Sequence, residues 1–131
     1  MNLRDELKKK PIKAITFDLW DTIIDDDSDE AVRLARGLRS KSDERFDLIA
    51  NAIKPFSEVT TDQLSISYNV VNAAFSKCWK DNFITWTVHE RIEVLLKGIG
   101  CQIPKQELCD LAESLGSMEI EVPPNIINGA Y

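Results

Sequence analysis

The chain of 131 residues is long enough for one domain of ordinary size, or for a small domain and part of another. Its apolar content of 44% and charged content of 29% are typical of a globular protein and argue against a disordered or fibrous class. The formal net charge of −6 argues against nucleic-acid and anionic-membrane partners, which bind basic surfaces.

The sequence also favours a cytoplasmic location. No apolar run is long enough to cross a bilayer, and the N-terminus lacks the apolar segment of a secretory signal. The cysteines Cys78, Cys101 and Cys109 lack the close spacing of structural zinc ligands. Small buried thiols in a reducing compartment are the expected interpretation.

The first predicted elements are a polar segment and a strand. Residues 2–10 are polar and predict a loose turn, which ends at Pro11. The run at about 12–19 is rich in β-branched and aromatic side chains and predicts a buried β-strand that reaches Asp18. Open α/β sheets bind ligands at the carboxyl ends of their strands, so Asp18 is a candidate catalytic residue.

Helical periodicity dominates the rest of the chain. The stripe at about 29–53 has a polar middle at 39–44, so it predicts either one long helix or two shorter ones. Within it, Arg33, Arg36 and Arg39 predict a solvated face with local ion pairs, with contact to a substrate anion as the alternative.

Three further helices carry clear start or stop signals. Capping boxes formed by Thr60 with Gln63 and by Thr87 with Glu90 predict two helix starts. Gly98 or Gly100 is expected to end the second of these helices. Pro104 is predicted as the first residue of the last of these helices, and Pro123-Pro124 ends it. Since no later strand is predicted to pair with the first, the chain is expected to belong to a larger fold.

The run Phe17-Asp18-Leu19-Trp20-Asp21-Thr22-Ile23 resembles the first motif of the haloacid dehalogenase-like (HAD) hydrolase superfamily. The resemblance implies an α/β fold, a Rossmann-like core with an inserted four-helix cap, of which this mostly α chain supplies a single core strand. Residues 1–27 would be the first strand and nucleophile loop, 28–121 the helical cap, and 122–131 a truncated return segment toward the core.

The resemblance implies covalent catalysis. Asp18 would attack a phosphoryl group or an alkyl carbon and form an aspartyl ester, which water then cleaves. In a phosphatase, Mg²⁺ would be bound by the Asp18 carboxylate and the Trp20 backbone carbonyl. Thr22 would help to hold the loop near the substrate.

The sequence departs from the phosphatase pattern at Trp20, where those relatives have an aspartate that transfers protons. Asp21 is one position further along and would point to the other side of an extended segment, unless a sharp turn re-aims it. A loop-capping role is favoured for Asp21 over a catalytic one. Trp20 is compatible with a dehalogenase, because a halide leaves without protonation.

The expected function is therefore the N-terminal portion of a HAD-like hydrolase that acts on a small phosphorylated metabolite. A 2-haloacid dehalogenase is the alternative enzyme, and a non-catalytic helical module that pairs its strand with a partner is the alternative outside enzymes. The later family motifs would lie beyond Tyr131, so the chain alone is expected to be inactive. A homodimer, or association with a missing C-terminal half, is the expected kind of assembly.

Overall fold

The computed structural model describes residues 11–130. Within them the chain forms five α-helices and no β-strand, which confirms the mostly helical prediction. The helices are α1 Ser28–Ala35, α2 Lys41–Ile53, α3 Thr61–Asn82, α4 Val88–Ile99 and α5 Lys105–Ile120. The predicted turn at 2–10 lies outside the described residues.

The chain divides into two compact units. The smaller one includes residues 11–29 and 124–130, and the larger one is Glu30–Pro123. The larger unit holds most of the helical residues and the apolar core. The assignment of these units to a hydrolase core and its cap stays a prediction.

The predicted buried strand at 12–19 is wrong for the structure of this chain. Those residues are exposed throughout; the side chains of Ile15 and Phe17 expose 69% and 74% of their surface. In residues 11–130 the only β pairings are two isolated bridges, Trp20 with Ile24 and Ile24 with Ile126. The physical reason is that a strand is stable only when a neighbour satisfies its backbone N–H and C=O groups, and no described segment does so along 12–19.

The stripe at 29–53 forms two helices, because a turn at Gly37 ends the first of them. Gly37 adopts φ +73°, and its N–H donates to the Leu34 carbonyl at 3.0 Å. The N–H of Leu38 donates to the Arg33 carbonyl at 2.9 Å, which completes a Schellman-type end for α1. Ser40 then caps α2 by accepting a 3.1 Å hydrogen bond from the Asp43 N–H.

Both predicted capping boxes are confirmed. In each, the threonine hydroxyl accepts from the backbone N–H three residues on, at 3.2 Å, and the glutamine or glutamate side chain accepts from the threonine N–H. Of the two glycines proposed to end α4, Gly100 does so, with φ +66°. Pro104 precedes the first residue of α5 rather than occupying it.

The capping box of α3 gives a direct test. Thr60→Ala removes the acceptor for the Gln63 N–H and is expected to lower the free energy of unfolding by about 1 kcal/mol. Thr61 is the neighbouring threonine and takes no part in the capping box. Thr61→Ala is therefore expected to change the free energy of unfolding by less than about 0.5 kcal/mol. Urea denaturation followed by circular dichroism measures both. Equal losses would contradict the capping assignment.

The core lies between α2, α3, α4 and α5, each of which packs against two of the others. Its most deeply buried side chains include Ile53 on α2, Leu64 on α3 and Leu95 on α4. Phe46 and Tyr68 meet edge to face, with ring centroids 5.6 Å apart, at the junction of α2 and α3. Between residues 11 and 130 no helix has the length and apolarity needed to cross a membrane.

Candidate functional site

The residues of the predicted nucleophile motif lie in the smaller unit, at the surface. Asp18, Trp20, Asp21 and Thr22 are all exposed to solvent. Immediately after Asp18 the chain turns sharply, because the Leu19 carbonyl accepts from both the Ile23 and Ile24 N–H groups at 2.9 Å. The motif therefore forms a compact loop that follows an exposed segment without regular secondary structure.

Asp21 occupies a sharp turn and not an extended segment. Its φ is +55°, a left-handed conformation that aspartate tolerates better than most residues. Its N–H donates to the Ile24 carbonyl at 2.7 Å, and its carboxylate accepts from the Asp26 N–H at 3.2 Å. The carboxylate thus makes the hydrogen bond expected of a loop-capping acid. A catalytic role for Asp21 stays a prediction.

A second segment of the chain returns to this loop. The Asp25 N–H donates to the Asn125 carbonyl at 2.9 Å, and the Ile127 N–H donates to the Ile23 carbonyl at 2.8 Å. The Ser28 hydroxyl donates to the Asp25 carbonyl at 2.6 Å and accepts from the Asn125 N–H at 2.7 Å. We call this pairing of residues 23–28 with 125–127 the clasp. It joins the segment that leads away from Asp18 to the segment that returns after Glu30–Pro123.

The donor atoms predicted for Mg²⁺ have suitable chemistry, since the Asp18 carboxylate and the Trp20 carbonyl are hard oxygen ligands on an exposed loop. Among residues 11–130, no group of three or more histidine, cysteine or acidic side chains is placed to hold a metal ion. Mg²⁺ takes six ligands and commonly keeps several waters. The described residues therefore supply the right kind of oxygen but only part of a site.

The prediction of a solvated arginine face is wrong for Arg33, the first of the three arginines. Arg33 exposes only 1% of its surface and forms ion pairs with Glu44 and with Glu121, the latter at 3.6 Å. Its Nε also donates to the Arg39 carbonyl at 3.0 Å. Arg36 is exposed, and Arg39 forms a surface ion pair with Asp47. Arg33 is thus a structural cation that connects α1, α2 and the end of α5.

The larger unit contains an apolar cavity of about 70 Å³ between α2, α3, α4 and α5. Two arginines line it, Arg45 from α2 and Arg91 from α4, together with Tyr68, Asn72 and Glu119. We call it the arginine pocket. Its apolar wall is formed by Ile49, Val71, Val88, Ile92, Leu95 and Leu115.

The two arginines of this pocket differ in how their charge is balanced. Arg45 forms an ion pair with Glu119. Burial by itself would lower the pKa of Arg45, but the hydrogen bond and charge of Glu119 raise it above its usual value. Arg91 donates to the Asn72 amide oxygen at 2.7 Å and lies 4.3 Å from the centroid of the Phe75 ring.

No carboxylate among the described residues forms an ion pair with Arg91. Burial is the largest influence on the pKa of Arg91 and lowers it, and the nearby charge of Arg45 acts in the same direction, whereas Tyr68 and Glu119 act in the opposite direction. The guanidinium nevertheless keeps its proton at neutral pH, because the pKa of arginine is far above 7. The arginine pocket is therefore lined by two cations and one carboxylate, which leaves one positive charge in excess.

Sequence reasoning missed both arginines, although the sequence contains a signal for each. Arg45 lies four residues before Ile49 and eight before Ile53, so it falls on the apolar stripe of α2. Arg91 lies four residues before Leu95, so it falls on the apolar stripe of α4. An arginine within an apolar stripe is expected either to extend its head to solvent or to find a buried partner.

Comparison of the chain with protein-family models, with curated proteins and with solved structures finds no match.

Proposed function

We propose that this chain is the N-terminal portion of a HAD-like hydrolase that works through an ester of Asp18. The observation that carries the proposal is the clasp. Residues 23–28 and 125–127 are hydrogen-bonded to each other, so Glu30–Pro123 is an insertion whose two ends adjoin the loop that follows Asp18. An inserted helical cap directly after the nucleophile is what the resemblance of the motif implies.

Asp18 would act as the nucleophile toward a small phosphorylated metabolite. One carboxylate oxygen forms a bond to phosphorus while the bond from phosphorus to the leaving oxygen breaks, and the leaving oxygen takes up a proton from water. Water then hydrolyses the aspartyl phosphate and regenerates the carboxylate. When bound, Mg²⁺ would neutralise phosphate charge, with Asp18 and the Trp20 carbonyl among its ligands.

A 2-haloacid dehalogenase is the alternative, and a specific observation favours it. Trp20 cannot protonate a leaving group, and the Asp21 carboxylate is engaged with the Asp26 N–H within the loop. A halide needs no proton when it leaves, so the Asp18 loop suits carbon–halogen cleavage without a proton-donating side chain. In both reactions the helical unit would select the substrate and exclude water.

The third possibility is a non-catalytic helical module, and the exposed apolar residues at 12–19 are the observation in its favour. Such a segment could pair with a strand of another chain, which would satisfy its backbone groups and cover its side chains. This alternative makes no use of the Asp18 carboxylate.

The deciding experiment begins with the coding sequence downstream of Tyr131. If it continues into an α/β half with a lysine and an acidic pair, the full product is assayed with a panel of small phosphomonoesters and 2-haloacids. Asp18→Asn is expected to lower turnover by about 10⁴-fold or more. The matched control is Asp27→Asn, an exposed acid of the same loop region whose left-handed φ of +59° suits asparagine. It should leave turnover unchanged.

Three outcomes would count against the proposal. A stop codon directly after Tyr131 would favour the helical module. Full turnover by Asp18→Asn would show that Asp18 is not the nucleophile. Turnover by the 131-residue chain alone, abolished in Asp18→Asn, would overturn the expectation that this portion is inactive.

A further inference from the structure

We propose that the arginine pocket binds a small monocarboxylate with a short apolar chain, its carboxylate on Arg91 and its chain in the cavity. All the residues involved lie within Glu30–Pro123, and none belongs to the Asp18 loop. The inference therefore goes beyond the proposed hydrolase and does not depend on it.

The charge of the pocket selects an anion. Arg91 is partly buried beside an apolar wall, where a cation without a counter-charge is costly. Glu119 forms its ion pair with Arg45 and acts on Arg91 only through its charge at a distance, so the two arginines share one carboxylate. A ligand that carries a single negative charge would neutralise the pocket.

The geometry of Arg91 suits a carboxylate in particular. Its Nη2 donates to Asn72 and its guanidinium lies over the Phe75 ring, so the side chain is held from two sides. Arginine has five N–H donors, and the hydrogen bond to Asn72 uses one of them. The remaining edge can donate two parallel hydrogen bonds to the planar carboxylate group.

The size and lining of the cavity determine the length and polarity of the rest of the ligand. A cavity of about 150 Å³ lined by apolar side chains accommodates benzene, so one of about 70 Å³ has room for about three carbon atoms. Six aliphatic side chains form its wall, which favours methyl and methylene groups over hydroxyls. Butyrate has this composition: one carboxylate and three further carbons.

The test is a calorimetric titration of the full chain with sodium butyrate. Butyramide has the same shape without the charge, acetate lacks most of the apolar chain, and inorganic phosphate supplies charge alone. Butyrate is expected to bind with a Kd of about 1 mM, and each of the other three at least about tenfold more weakly. Equal binding of butyramide and butyrate would overturn the role of Arg91, and equal binding of acetate would overturn the role of the cavity.

Variants locate the site. Arg91→Gln is expected to weaken butyrate binding at least about tenfold. Arg36→Gln changes an exposed arginine outside the pocket and should leave binding unchanged. Val88→Phe should block the pocket with little effect on the core, because Val88 lines the pocket and is itself exposed. Wild-type affinity in both Arg91→Gln and Val88→Phe, or no heat of binding from the wild-type chain up to about 50 mM butyrate, would refute the proposal.

Discussion

Arg33→Ala is expected to lower the free energy of unfolding by about 3 kcal/mol, more than any other arginine substitution in the described chain. The substitution removes the cation from between Glu44 and Glu121, which leaves two acids facing each other. It also removes the hydrogen bond to the Arg39 carbonyl. Both acids are partly exposed, so water reduces the loss below the full value for a buried pair.

Arg39→Ala is the matched control for this prediction. Arg39 also forms an ion pair, with Asp47, but both side chains are exposed. Exposed pairs contribute little, and a loss below about 1 kcal/mol is expected. Urea denaturation of both variants gives the comparison. If the two losses were equal, burial of Arg33 would not determine its contribution.

The double substitution Ile15→Lys and Phe17→Lys is expected to abolish self-association of the chain. Several exposed apolar side chains on an unpaired segment, here residues 12–19, form a surface that another copy can pair with or cover. Ile15 and Phe17 are among its most exposed members. The wild-type chain should therefore form dimers or larger species at high micromolar concentration, and the variant should be monomeric. Sedimentation velocity measures both.

Ile66→Lys provides the control, because Ile66 is 65% exposed but belongs to α3 and lies outside residues 12–19. Its substitution makes the same chemical change and should leave the association state as it is in the wild type. A monomeric wild-type chain over the whole concentration range would contradict the prediction. So would an effect of Ile66→Lys as large as that of the double variant.

The helices of this protein were predictable because their determinants are local. A threonine followed three residues later by glutamine or glutamate satisfies its own backbone donors, so Thr60 and Thr87 mark helix starts whatever surrounds them. The strand predicted at 12–19 would depend instead on a partner segment, and no described segment pairs with it. Its residues have strand composition, but composition cannot supply the neighbour that a strand requires.

Arginine positions show a second limit of sequence reasoning. The three-residue spacing of Arg33, Arg36 and Arg39 suggested a common solvated face, yet Arg33 is buried and the other two are exposed. The acids that pair with Arg33 come from α2 and from the residue after α5, so only the tertiary fold brings them together. The same holds for Arg91, whose partners Asn72 and Phe75 lie on α3.

The clasp also constrains the order in which the protein folds. The hydrogen bond between Ser28 and Asn125 joins residues 97 positions apart. Closing a disordered loop of that length costs about 4 kcal/mol of chain entropy, more than a few exposed hydrogen bonds return. The intervening helices have short connections and must form first, after which the closure is nearly free of this cost. The loop beside Asp18 is therefore assembled last, and urea that melts the helices should release it in the same transition.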